Sequence, residues 1–332
     1  MSGDVSQLAA GTSALIGSLP HPNIESAITA QLDAGMTLLT LPELIAAGPH
    51  EGLLARGLGI LPEVAVNADG TISVDRLLVH HDVPEGIACL SETELEFLRH
   101  PSVVAAPAIK VQTLGPLTAA RALVAVGLEP NVARYRGILA SRARVQALSK
   151  AARSANPNAT VLVMLDEPSL ATTAYDPSTS EDAADVLSGV LMAAGRDVLT
   201  GIHPCGNNGI DTAFAAGCDV LCVVPTPDVF NHMGTIVRHT EAGGYLAWGA
   251  IPTSGPIHSH AEGAWETLVR AWCELSNRGC DPLLLRVQAL ITPECGLGNH
   301  SVDAAERVLG FVSELEARVR DQIVATRLSL GA

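Results

Sequence analysis

Thr160-Val161-Leu162-Val163-Met164-Leu165-Asp166 is apolar on both faces of an extended chain until its last residue, a carboxylate, after which come Glu167 and Pro168. A half-exposed strand alternates apolar and polar side chains. A continuous apolar run is what a strand covered on both faces looks like, and such strands belong to parallel sheets. Working outward, seven more runs of this kind recur, at residues 13–18, 37–41, 109–114, 198–203, 219–224, 244–250 and 289–293. Helical spacing marks residues 117–126, 132–154, 181–194, 208–216, 261–275 and 301–323. Strand–helix alternation has two main solutions, an open doubly wound sheet and a closed barrel. Eight strands in a chain of 332 residues favour an α/β fold of the second kind, a (β/α)8 TIM barrel, usually about 250 residues plus insertions. Residues 59–100 are the least regular and hold a turn at Asn67-Ala68-Asp69-Gly70. They predict a hairpin or excursion inserted between the second and third strands. No repeat, linker or low-complexity stretch divides the chain, so 1–332 is expected to be one barrel domain.

Composition narrows the function classes. The net charge is −15, with 20 basic and 35 acidic residues, so the basic footprint of a nucleic-acid binder is missing. No run of about 18 uncharged apolar residues could cross a membrane. The first residues have no basic stretch ahead of an apolar one, so they do not read as a signal peptide, and the cytoplasm is the expected compartment. Seven cysteines without a secretion signal argue against disulfides. Each is a small buried hydrophobe or a metal or catalytic thiolate.

In a barrel the chemistry sits where strands end and loops begin. Seven of the eight runs end in a polar residue beside Gly or Pro, which suggests a pocket. The sharpest pair is His203 and Cys205, two residues apart at a strand end, where alternation points both side chains one way. Imidazole and thiolate are both good zinc ligands. Cys295, closing the last run in Thr292-Pro293-Glu294-Cys295-Gly296, is the best-placed third ligand. The competing assignment makes Cys205 and Cys295 plain core residues. Alternation sends one of Asp166 and Glu167 into the barrel and the other away. An inward carboxylate could hold an ammonium group; an outward one could cap a helix. Gly17-Ser18 could offer N–H groups to an anion or form a simple tight turn. His258 and His260 lie in a loop after the seventh run, from which either could donate a proton, or they are plain surface residues.

Together these pieces resemble the catalytic barrel of cobalamin-independent methionine synthase, within the larger group that includes uroporphyrinogen decarboxylase. The matching stretches are Ile16-Gly17-Ser18-Leu19-Pro20-His21, Leu41-Pro42-Glu43-Leu44, Lys110-Val111-Gln112-Thr113-Leu114-Gly115-Pro116, Leu165-Asp166-Glu167-Pro168, His203-Pro204-Cys205-Gly206-Asn207 and Ile291-Thr292-Pro293-Glu294-Cys295-Gly296-Leu297. They stand in the family's order and span nearly the whole chain. The resemblance implies a (β/α)8 barrel with Zn2+ at its C-terminal mouth, on His203, Cys205 and Cys295. It implies that Asp166, Ser18 and Glu43 bind an amino-acid thiol, homocysteine first, and that His258 assists proton transfer as the catalytic histidine. The activity implied is transfer of a methyl group to that thiol, forming methionine. Two departures stand out. The family's further zinc ligand, a Glu after the sixth strand, would fall near Val224, and Asp228 is too far along to replace it. No tryptophan stands in residues 112–118 where a pterin could stack, and the N-terminal barrel of the long synthases has no counterpart, which weighs against a folate donor. A corrinoid-bound methyl group or an epoxide stays open as the electrophile, and a corrinoid protein or a second copy of the chain as a partner. A degenerate barrel that binds without turnover is the alternative from another class.

Overall fold

The computed structural model describes residues 8–172 and 180–330. Its strands are β1 (Leu38–Thr40), β2 (Val64–Val66), β3 (Ile72–Val74), β4 (Ala108–Leu114), β5 (Thr160–Asp166), β6 (Leu199–His203), β7 (Val220–Val223), β8 (Tyr245–Ile251) and β9 (Ala289–Pro293). Seven of them form one sheet in the order β1-β4-β5-β6-β7-β8-β9, and every neighbouring pair is parallel. These are the expected runs from the second to the eighth, each matched to within a residue at either end. The remaining pair, β2 and β3, is an antiparallel hairpin within the expected excursion. Its turn closes with Gly70 in the left-handed region, where a side chain would be strained.

The two faces of the sheet carry different cores. Leu38, Ala108, Met164, Val220, Ala247 and Leu290 belong to one buried cluster. The residues between them, such as Leu39, Ile109, Leu165, Leu221, Trp248 and Ile291, belong to another, shared with the surrounding helices. Period-two alternation sorts them, and the sheet curls around the first set. Among the described residues, no helix is long and apolar enough to cross a membrane.

The first expected run differs. Residues 13–18 form two isolated parallel bridges, Ser13 with Ile291 and Ser18 with Glu43, rather than a strand. Side chains take the backbone groups that a ladder would use. Ser13 N–H donates to Glu316 Oε2 at 3.0 Å, Leu15 N–H to Thr40 Oγ1 at 3.2 Å, and the Ile16 carbonyl accepts from Lys110 Nζ at 2.7 Å. The segment nevertheless reaches both edges of the sheet. Ala14 N–H donates to the Ile291 carbonyl at 2.9 Å, and Glu43 N–H, just past β1, donates to the Gly17 carbonyl at 3.0 Å.

Buried charge pins the excursion to the helices around the curled sheet. The helix Glu92–Arg99 starts with a capping box between Ser91 and Glu94. The Glu94 carboxylate, fully buried, takes both terminal nitrogens of Arg144 and stands 3.1 Å from Arg56 Nη2 in an ion pair. Arg144 lies on the long helix Pro130–Ala155 and also donates to the Cys89 carbonyl at 2.5 Å. Burial alone would push the Glu94 carboxyl up, but the Arg144 and Arg56 guanidiniums and the Ser91 N–H outweigh it and hold it at about 2. A depressed carboxyl pKa stabilises the fold above its unfolded value of 4.5, and the benefit is lost as pH falls toward 2. Urea midpoints should therefore fall over that window, and fall less in Glu94→Gln. Equal slopes in the two proteins would show that Glu94 is not what titrates.

Candidate metal centre

Strand ends bring the chemical residues to one mouth. β5 ends in Asp166 and β6 in His203, and the parallel register sets these two residues side by side. Two residues on, the chain turns sharply. Cys205 has φ 55°, the one positive φ of a non-glycine among the described residues. A β-carbon in that region costs of order 1 kcal/mol and persists where surrounding structure enforces it. The reversal is locked by Asn207, whose side-chain amide donates to the Val224 carbonyl at 3.0 Å while its oxygen accepts from Val224 N–H at 2.9 Å. This left-handed turn, rather than strand alternation, is what places Cys205 beside His203.

Cys295 arrives from the other side, on the loop after β9. Glu294 N–H donates to the Ile251 carbonyl and Leu297 N–H to the Ser18 carbonyl, both at 2.8 Å. Gly298 N–H reaches the Ser18 hydroxyl at 3.4 Å. A β-carbon on Gly296 would collide with that same hydroxyl. Ser18 is thus the latch of the Cys295 loop.

One ligand atom each from His203, Cys205 and Cys295 lies within 4.8 Å of the others. Donors around one tetrahedral zinc stand about 3.5–3.8 Å apart, given Zn–S and Zn–N bonds of about 2.3 and 2.0 Å. Both ring nitrogens of the buried His203 lack a hydrogen-bond partner. Polar atoms left so cost about 1–3 kcal/mol each unless something binds them. The neighbouring Cys205 and then His203 pull the Cys295 thiol well below its usual range, and the nearness of Cys295 pushes Cys205 up. The donor set and its spacing fit a soft divalent cation. Among the described residues, no carboxylate joins the three. Val224 occupies the place after β7, and Asp228 is exposed.

The two adjacent acids divide their duties. Glu167 is fully buried and accepts from Leu117 N–H at 2.8 Å, Thr118 N–H at 2.9 Å and the Thr118 hydroxyl at 2.6 Å. It caps the helix Pro116–Ala125 and fills the space that a side chain on Gly115 would need. Asp166 faces the interior, where its Oδ1 has no partner. Burial raises its pKa well above the carboxylate range, with Glu43 adding and Lys110 opposing. Burial likewise raises Glu43 against Arg56 and Lys110, and lowers Lys110. Glu43, Asp166 and Lys110 therefore share one buried electrostatic neighbourhood at the mouth. Lys110 is the site residue that sequence reasoning missed. The signal was present, since a lysine and Gln112 stand on one face of an otherwise apolar strand.

His258 lies elsewhere. It is exposed and lines a cleft of about 640 Å3 with Val224, Gly249, His260 and Glu294. That cleft adjoins the Cys295 loop through Glu294, but none of the three sulfur and nitrogen donors lines it. No protein-family model matches the chain, and a search of curated proteins finds no match either.

Proposed function

We propose that the chain is a zinc-dependent methyltransferase that alkylates a thiol, homocysteine first, on a closed barrel of the cobalamin-independent methionine synthase type. In this proposal residues 11–19 are the eighth stave, joining β9 to the chain after β1. The observation that carries it is the meeting of His203, Cys205 and Cys295 at one mouth, with both nitrogens of the buried imidazole unpartnered. His203, Cys205 and Cys295 would hold the zinc, which when bound lowers the pKa of an incoming thiol and keeps it as a thiolate. The protein's own groups do the rest. Asp166 and Glu43, buried acids facing the same interior, attract the ammonium end of an amino-acid thiol. Ser18 keeps the Cys295 loop seated and stands where the carboxylate end would lie. His258, exposed in the adjoining cleft, can move a proton to or from the leaving group of the methyl donor. With three protein donors, a bound zinc would keep a place for the substrate sulfur, as catalytic rather than structural sites do.

Calorimetry tests the proposal. Homocysteine is titrated into protein as purified, after chelation, and after zinc is restored. Binding should vanish with the metal and return with it. Undiminished binding to the stripped protein would overturn the proposal. Product analysis with methylfolate, methylcobalamin and an epoxide then identifies the electrophile, and binding without turnover of any of them would leave a binding protein only.

A further inference from the structure

Against His203, the curled sheet holds a cavity of about 10 Å3, lined in part by Lys110, Asp166, His203, Cys222 and Thr292. That is room for one water. Two of its walls carry polar atoms that are buried and unpartnered, Asp166 Oδ1 and the ring nitrogens of His203. Strand register holds these two residues abreast. An imidazole that binds a metal through one nitrogen has an N–H on the other, and that group ordinarily donates to a carboxylate, a backbone carbonyl or a water. Among the described residues, neither a carbonyl nor a carboxylate takes it directly here.

We propose that Asp166 is a positioning residue for His203, acting through a single water held in this cavity. The inner N–H of His203 donates to the water oxygen, and the water donates to Asp166 Oδ1. Lys110 Nζ already donates to the Ile16 carbonyl at 2.7 Å and to Gln112 Oε1 at 3.2 Å. Its third hydrogen gives the water a further partner, within the two to four that buried waters need. The chain of bonds selects one tautomer of His203 and turns its other nitrogen toward Cys205 and Cys295. Asp166 Oδ2 is left for the substrate. The proposal rests on the metal reading above and adds a function for Asp166 that needs no substrate.

The test is zinc affinity, measured on the full chain by competition with a chromogenic chelator, with no thiol or methyl donor present. Asp166→Asn should raise the zinc dissociation constant about 10–100-fold. In a His203→Cys background the third ligand has no second nitrogen to orient, so Asp166→Asn should change affinity little there. The cobalt(II)-loaded protein gives a second readout, since a reoriented imidazole shifts its visible bands. Unchanged zinc affinity and unshifted cobalt bands in Asp166→Asn would overturn the proposal while leaving the metal site intact. Equal losses in both backgrounds would also overturn it, because they would make Asp166 a source of charge alone. A wild-type chain that takes up no zinc would overturn the metal reading itself.

Discussion

Cys295→Ser will purify folded but with zinc reduced from about one per chain to about a tenth or less, and thiol alkylation will be lost with it. A serine hydroxyl is a hard, weakly acidic donor that does not replace a thiolate on zinc. Cys295 is exposed and outside the buried clusters, so its loss should leave thermal stability of the metal-free protein unchanged. Cys205→Ser should behave alike, with the left-handed turn at residue 205 retained, since Asn207 rather than the sulfur locks it. A buried-hydrophobe role for either cysteine predicts the reverse, a less stable protein with no change in metal. Metal analysis and melting curves on the two variants decide between these outcomes.

Arg144→Met should be the most destabilising single change outside the mouth. It leaves the fully buried Glu94 with Arg56 as its one cation and the Ser91 N–H as its donor, and removes the donors to the Cys89 carbonyl and the Thr113 hydroxyl. Deleting one partner of a buried ion pair costs about 3–5 kcal/mol, because the other charge stays buried. The urea midpoint should drop with little change in slope. Adding Glu94→Gln to Arg144→Met should cost less than the sum of the two single changes, since both act on one network. Strict additivity would mean that the pair contributes no coupling.

Thr160–Asp166 was legible because full burial on both faces leaves a local trace, an unbroken apolar run. Residues 13–18 leave the same trace but make only bridges. The backbone groups of Ser13, Leu15 and Ile16 bond to side chains 303, 25 and 94 residues away, which no local pattern reveals. The helix Met233–Glu241 went unread because Thr235, Ile236 and Val237 are β-branched, a run that propensity assigns to strands. Pairing of His203 with Cys205 was readable from spacing, although a left-handed turn rather than the pleat brings them together. Spacing alone could not decide which of Asp166 and Glu167 faces inward. The start of the next helix decides it, by drawing Glu167 onto the N–H groups of Leu117 and Thr118.

The most direct test is X-ray absorption at the zinc edge, on the full chain purified and reconstituted with one equivalent of metal. Two sulfur neighbours at about 2.3 Å and nitrogen or oxygen neighbours at about 2.0–2.1 Å are predicted, with the sulfur count rising by one when homocysteine is added. Zinc that fails to bind, or that is surrounded by nitrogen and oxygen alone, would contradict it.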